Sequence, residues 1–126
     1  MMEEIKYPQF LAALVALDLP KPTQELVFAK EYGRKWRTDF MIVQGTTKIA
    51  IEIEGGAFSG GRHTRGVGFV ADMQKYNAYS MLGYTLLRFT AEQATKQPIM
   101  CAKWIKCVLE GTIDKELFAI VRKKKK

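Results

Sequence analysis

The sequence is poor in the residues that form zinc sites and disulfides. Its 126 residues include one histidine and two cysteines, with no Cys-x-x-Cys pair. A zinc site built from several histidine and cysteine ligands is therefore excluded. Cys101 and Cys107 are six residues apart in a predicted helix, which corresponds to about 9 Å of helical rise. That separation is too large for a disulfide, so we expect both thiols to be reduced.

Long hydrophobic runs are lacking too. No apolar run approaches the roughly 20 residues needed to cross a bilayer, and the N-terminus shows no signal-peptide pattern. We therefore expect no membrane partner and a cytoplasmic location. The chain is 48% hydrophobic, which favours a folded domain over disorder, and we expect a single domain over residues 1–121.

Positive charge is concentrated at the C-terminus. The net charge is +7, and residues 122–126 carry five of these charges, which leaves +2 for the rest of the chain. We expect this tail to be disordered and to attract polyanions without specificity. The alternative is an end that only improves solubility.

Hydrophobic spacing predicts an α/β fold. Helices are expected at 8–17, 69–82 and 98–109, and strands at 24–29, 36–43, 48–54 and 85–89. The short connection at Gly45 predicts an antiparallel second and third strand, and the helical crossover predicts a parallel fourth. The order α-β-β-β-α-β-α thus describes a mixed four-stranded sheet flanked by helices.

Residues 55–68 form a glycine-rich segment with six glycines in fourteen residues. Glycine at this density favours a loop over helix or strand. The loop contains Arg62, His63 and Arg65, and flexible glycines between cations let a backbone approach phosphate closely. The alternative is a solvated loop without a ligand.

The following helix has two kinds of face. Asp72 and Lys75 lie one turn apart, and their simplest interpretation is a surface ion pair. One face carries apolar residues, namely Phe69, Val70, Met73 and Tyr76. Another face carries Asp72, Lys75 and Tyr79.

The strand at 48–54 carries two acids on one face. Its three isoleucines alternate with Ala50, Glu52 and Glu54, so Glu52 and Glu54 lie about 6.6 Å apart on the same side. Two carboxylates at that spacing can address one metal ion. The alternative is an edge strand with a solvated acidic face.

A third acid comes from the second strand. Asp39 lies six residues before Gly45 and Glu52 seven after it, so the two reach a similar height on the sheet. With Glu54, three carboxylates can converge, which is unfavourable without a compensating cation. Such oxygen ligands suit Mg²⁺ or Mn²⁺. Asp39 could instead pair with Arg37 or a lysine across the strands.

These motifs resemble those of the PD-(D/E)XK, or restriction-endonuclease-like, nuclease superfamily. The similarity is greatest to small phage and prophage nucleases, which carry WRxDF, a strand ending in EIEGG, and GGRHTRG; here these motifs occupy residues 36–40, 52–56 and 60–66. The chain also resembles the short-patch mismatch-repair endonucleases. The similarity covers about residues 24–90 and extends through 72–77 and the strand at 85–89.

The resemblance implies Mg²⁺-dependent hydrolysis of DNA phosphodiester bonds, with Mn²⁺ as a substitute. It implies that Asp39 and Glu52 bind the metal together with the Ile53 carbonyl. Glu54 stands where the family usually has lysine, and some members use glutamate there to bind a second metal or accept a proton. Lys75 could supply the missing cation from the next helix.

The remaining roles are less specific. Glu25 could add a ligand through water, although it could also cap a turn or pair with Lys30, and Glu31 is an alternative ligand. The expected DNA contacts are Arg37, Arg62, His63 and Arg65, with His63 also a candidate acid or base. Branched, flapped, nicked and plain DNA all remain open as substrates, and paired incisions would require a homodimer. The alternatives are a non-catalytic nucleic-acid-binding module and a nuclease acting on RNA.

Overall fold

The computed structural model describes residues 5–55 and 66–119. Within these ranges it contains four strands and four helices, which confirms the predicted α/β class and adds one short helix to the predicted order. The elements are α1 (Pro8–Ala16), β1 (Thr23–Val27), β2 (Arg37–Gln44), β3 (Thr47–Glu54), α2 (Gly66–Met81), β4 (Thr85–Thr90), α3 (Ala91–Lys96) and α4 (Pro98–Glu110), with 3₁₀ turns at Lys30–Tyr32 and Lys115–Phe118.

The four strands form one mixed sheet in the order β1-β2-β3-β4. β1 and β3 both pair with β2 in the antiparallel sense, and β4 pairs with β3 in the parallel sense. The predicted strand directions are therefore confirmed. As a result, the C-terminal ends of β3 and β4 lie at the same end of the sheet as the start of β2.

The isoleucine face of β3 carries the larger core. Ile49, Ile51 and Ile53 are buried against residues of α1, α3 and α4. Full burial of such a side chain contributes about 1.5–3 kcal/mol relative to leaving it exposed. Cys101 and Cys107 lie in α4 as free thiols, as predicted, and burial raises the pKa of Cys101 to about 12, so this thiol stays protonated.

The opposite face of the sheet packs on α2 and forms a smaller, more aromatic core. Ala50 and Met41 of the strands contact this core, and Tyr79 of α2 is completely buried in it. The apolar residues Phe69, Val70 and Met73 of the same helix remain exposed. The polar face of α2 therefore packs on the sheet, because the acids of β3 lie beneath it.

Helix α3 was not among the helices predicted from the sequence. It begins directly at the end of β4, where Thr90 and Gln93 form a capping box. The Thr90 hydroxyl accepts the Gln93 N–H, and the Gln93 side chain accepts the Thr90 N–H, both at 3.0 Å. Helix α2 begins at Gly66, so the last three residues of the segment predicted as loop are helical.

None of the helices in the described ranges is long and apolar enough to cross a membrane. The predicted DNA contacts Arg62, His63 and Arg65 lie outside the described residues, as does the basic tail at 122–126.

Candidate active site

Asp39 and Glu52 are neighbours where β2 and β3 stop pairing. The last backbone pair between these strands is Phe40 with Ile51, so Asp39 and Glu52 are the next residues of the two strands. The Asp39 carboxylate oxygen Oδ2 accepts the backbone N–H of Ile53 at 2.7 Å. The Asp39 side chain thus accepts a hydrogen bond from a backbone N–H of β3 that lies beyond the last β2–β3 pair. This hydrogen bond fixes the carboxylate against β3.

Glu52 is held from α2. Its side chain is buried, and one oxygen, Oε2, lies 3.0 Å from the Lys75 ammonium and 2.5 Å from the Tyr79 hydroxyl. The Tyr79 hydroxyl donates its only hydrogen to Glu52, so the Thr38 hydroxyl at 2.7 Å is the donor in the second contact. Lys75 and Tyr79 reach the same oxygen because residues four apart share one face of a helix.

The environment of Glu52 is unfavourable for an isolated charge. Burial raises the pKa of its carboxyl above the ordinary value, and the nearby negative charge of Asp39 adds to this effect. The hydrogen bond from Tyr79 and the positive charge of Lys75 oppose the increase in pKa. Burial and the Glu52 contact also raise the pKa of Tyr79, so its hydroxyl remains a neutral donor.

Glu54 does not join Asp39 and Glu52. Both of its oxygens are bound by Arg88 of β4, with Nη2 at 2.9 Å from Oε1 and Nε donating to Oε2. The Arg88 guanidinium in turn lies 4.8 Å from the centre of the Tyr76 ring. A planar guanidinium that binds a carboxylate through two N–H groups fixes the orientation of both groups. Arg88 was not identified from the sequence.

Glu25 lies on the edge strand and is engaged by cations. Its carboxylate is 3.4 Å from the Lys6 ammonium and 3.8 Å from the Arg37 guanidinium. The strand register places Glu25 opposite Asp39, but its backbone has a positive φ of 49° and it makes no ladder pair there. Arg37 thus contacts Glu25, and Asp39 instead accepts from the backbone of β3.

The donor set fits a hard divalent cation. Within residues 5–55 and 66–119, no three His, Cys, Asp or Glu side chains are grouped to hold a metal ion, so the predicted convergence of three carboxylates reduces to two. Mg²⁺ is commonly bound through one or two carboxylates plus substrate phosphate. Asp39 and Glu52 each have one oxygen committed to the contacts above, and each has a second oxygen that could serve as a ligand.

Comparisons with known proteins add no relative. No family model matches the chain, and neither a curated protein nor a solved structure matches it. Any functional conclusion therefore depends on the residues themselves.

Asp39, Glu52 and Lys75 were predicted from the sequence to share a site, whereas Tyr79 and Thr38 were not. The available signal was the spacing Lys75-x-x-x-Tyr79, which places a cation and a phenol on one face of α2. Thr38 gave no signal, because threonine is common in strands whatever its role.

Proposed function

We propose that this protein is a Mg²⁺-dependent endonuclease that hydrolyses DNA phosphodiester bonds. The observation that carries the proposal is the position of Asp39 and Glu52 side by side at the end of two central strands, with the Lys75 ammonium 3.0 Å from Glu52. Glu52 is buried and Asp39 beside it is partly buried. Two such carboxylates with a cation supplied by another element are costly for folding alone, which favours a functional role.

The restriction-endonuclease-like fold is part of this proposal. A helix, three antiparallel strands, a crossover helix and a parallel fourth strand occur in the order implied by the resemblance. Asp39 and Glu52, the acids of the motifs that resemble the superfamily, lie at adjacent strand ends in this sheet. Lys75 lies beside Glu52, which supports its assignment as the cation that replaces the lysine missing at Glu54.

The metal would be held by Asp39 and Glu52, with the Ile53 carbonyl as a third ligand. When bound, Mg²⁺ or Mn²⁺ supplies Lewis-acid activation of water and of the phosphoryl group. The residues around the site position these ligands. The Ile53 N–H orients Asp39, while Tyr79 and Lys75 hold one oxygen of Glu52 and leave the other oxygen as a possible ligand.

DNA is the proposed partner because cations lie at the acid pair, Arg37 at the start of β2 and Lys75 beside Glu52. Arg37 begins β2 two residues before Asp39, and its side chain is largely exposed. Arg62, His63 and Arg65 complete the proposed contacts. Hydrolysis requires a phosphate at the acid pair, and flanking cations offset the repulsion between that phosphate and the carboxylates.

The direct test is cleavage by Asp39→Asn and Glu52→Gln variants. We expect each to lower Mg²⁺-dependent cleavage by more than the roughly 10–100-fold that loss of an outer metal partner costs. DNA binding in EDTA should persist, because neither substitution removes a cation. The assay should use junction, flap, duplex and single-stranded DNA, with an RNA strand included.

Glu92→Gln is the matched control. Glu92 is an exposed acid on α3 that pairs with Lys96, and its replacement should leave cleavage unchanged. If Asp39→Asn cleaves as fast as the parent protein, the site assignment is wrong. If the parent protein binds DNA but cleaves no substrate with Mg²⁺ or Mn²⁺, the non-catalytic binding module is the correct alternative.

A further inference from the structure

The loop between β1 and β2 lies at the same end of the sheet as the acid pair. β1 ends at Val27, which pairs with Arg37 at the start of β2, and β3 ends at this edge as well. The connection, residues 28–36, therefore borders the site. Asp39 follows Arg37 by two residues, or about 6.6 Å of strand.

The charge of this loop and of the first residue of β2 is strongly one-sided. Residues 30–37, which comprise the end of the loop and Arg37, contain four cations and one acid, a net charge of +3. Among the described residues, Arg37 is the only one of the four cations with an acidic partner. Lys30 and Lys35 are exposed, and neither forms an ion pair with a residue in the ranges 5–55 and 66–119.

The loop is anchored by stacked aromatic rings. The Arg34 guanidinium lies 4.2 Å from the centre of the Trp36 ring, which stacks on Phe28 at 6.1 Å. Phe28 stacks in turn on Tyr79 at 4.4 Å, the residue that holds Glu52. A loop fixed in this way loses little conformational entropy when it binds a ligand.

One aromatic ring of the loop is not used in this packing. Tyr32 ends the 3₁₀ turn Lys30–Tyr32 and is 62% exposed. Exposed aromatic rings beside cations are the features with which proteins bind single-stranded nucleic acids, since bases stack on the rings while cations hold the phosphates. In a duplex the base faces are covered by neighbouring bases, so an exposed ring has no equivalent partner.

We propose that residues 30–37 bind an unpaired DNA strand, with a base stacked on Tyr32 and phosphates on Lys30, Lys35 and Arg37. This inference deepens the proposed nuclease function and rests on it, because it assigns to the same site a substrate with a single-stranded segment. The unpaired strand would pass along the loop toward Asp39 at the start of β2.

The test is the affinity of the full-length protein for a labelled single strand and for a blunt duplex, measured by fluorescence anisotropy in EDTA. Tyr32→Ala should weaken binding of the single strand about fivefold or more, which corresponds to the lower limit of about 1 kcal/mol for one stacked base. Binding of the duplex should not change. Tyr32→Phe keeps the ring and should retain the parent affinity.

The charges are tested by a salt titration of the same complex. Lys30→Gln combined with Lys35→Gln should reduce the slope of log K against log salt by about 1.4, since each lost contact with a single strand contributes about 0.7. The control, Lys103→Gln with Lys115→Gln, removes two exposed charges from α4 and the following 3₁₀ turn and should leave the slope unchanged.

Three results would overturn the inference: no binding of the single strand by the parent, an unchanged affinity of Tyr32→Ala, or an unchanged slope in the double lysine variant. The proposed function is judged separately, by cleavage with Mg²⁺. A parent protein that cleaves DNA while its loop variants bind normally disproves only the loop assignment. A parent that binds the single strand through this loop without cleaving it disproves only the nuclease proposal.

Discussion

Tyr79 links α2 to both central strands through a single hydroxyl group. It accepts from Thr38 of β2 and donates to Glu52 of β3, and all three residues are buried. A buried carboxylate needs such donors, because its desolvation is compensated only by charge-assisted hydrogen bonds or ion pairs. The phenol therefore positions Glu52 together with the ammonium of Lys75.

Tyr79→Phe should lower the free energy of unfolding by about 1.5–3 kcal/mol, the usual value for a hydrogen bond to a charged group. The substitution preserves the ring and its stacking on Phe28, so the loss reports on the hydroxyl alone. Chemical denaturation followed by fluorescence would measure it. Cleavage should also slow, with DNA affinity unchanged, because Glu52 loses one of the groups that orient it.

The matched control for this substitution is Tyr76→Phe. Tyr76 lies three residues before Tyr79 on the same helix, and its ring contacts Arg88. Its hydroxyl has no hydrogen bond to the described part of the chain. We expect a change within about 0.5 kcal/mol. Equal stabilities for Tyr79→Phe and the parent protein would show that the hydroxyl does not hold Glu52.

At the scale of elements, β3 was the most predictable and α3 the least. The strict alternation of isoleucines with Ala50 and Glu52 has the period of a strand and no other regular structure, so its two faces followed directly from the sequence. Helix α3 spans only Ala91–Lys96, too short for a helical period to be recognised. Its only signal was local, the Thr90-x-x-Gln93 pattern of a capping box.

Thr90→Ala tests whether this cap defines α3. The substitution removes the side chain that accepts the Gln93 N–H, and we expect a loss of about 1 kcal/mol in the free energy of unfolding. Thr95→Ala is the control, because Thr95 is exposed within the same helix and alanine is the better helix former. A Thr90→Ala protein as stable as the Thr95→Ala protein would contradict the role of the cap.

The orientation of α2 was the element-scale feature that periodicity could not predict. Phe69, Val70 and Met73 share one apolar face of the helix, and burial of that face would be the ordinary expectation, yet the structure exposes them. The opposite face packs on the sheet because it supplies Lys75 and Tyr79 to a buried acid. Where a site lies under a helix, the chemistry of the site, and not hydrophobicity alone, decides which face is buried.

At the scale of the whole molecule, the site is an outcome of strand register. The sequence placed Asp39 and Glu52 at the same height because a short hairpin at Gly45 leaves little freedom in the pairing, and the register makes them neighbours. It could not predict that Glu54 binds Arg88, because β4 is far away in the chain and its register is set by the crossover. Local patterns thus predicted the acid pair, whereas contacts between distant elements did not follow from them.

Binding of Mg²⁺ should be linked to folding of the whole chain. Asp39 and Glu52 are thirteen residues apart in sequence and adjacent only in the folded protein, so a cation that bridges them binds the native state in preference to the unfolded one. The stabilisation is about 1.4 kcal/mol at a free metal concentration ten times Kd. We expect Mg²⁺ to raise Tm by about 5 °C relative to EDTA at matched ionic strength.

Asp39→Asn should abolish this increase and Glu92→Gln should retain it, since Glu92 lies on α3 and pairs with Lys96. A parent protein whose Tm does not respond to Mg²⁺ or Mn²⁺ would show that the acid pair holds no cation, whatever its DNA affinity.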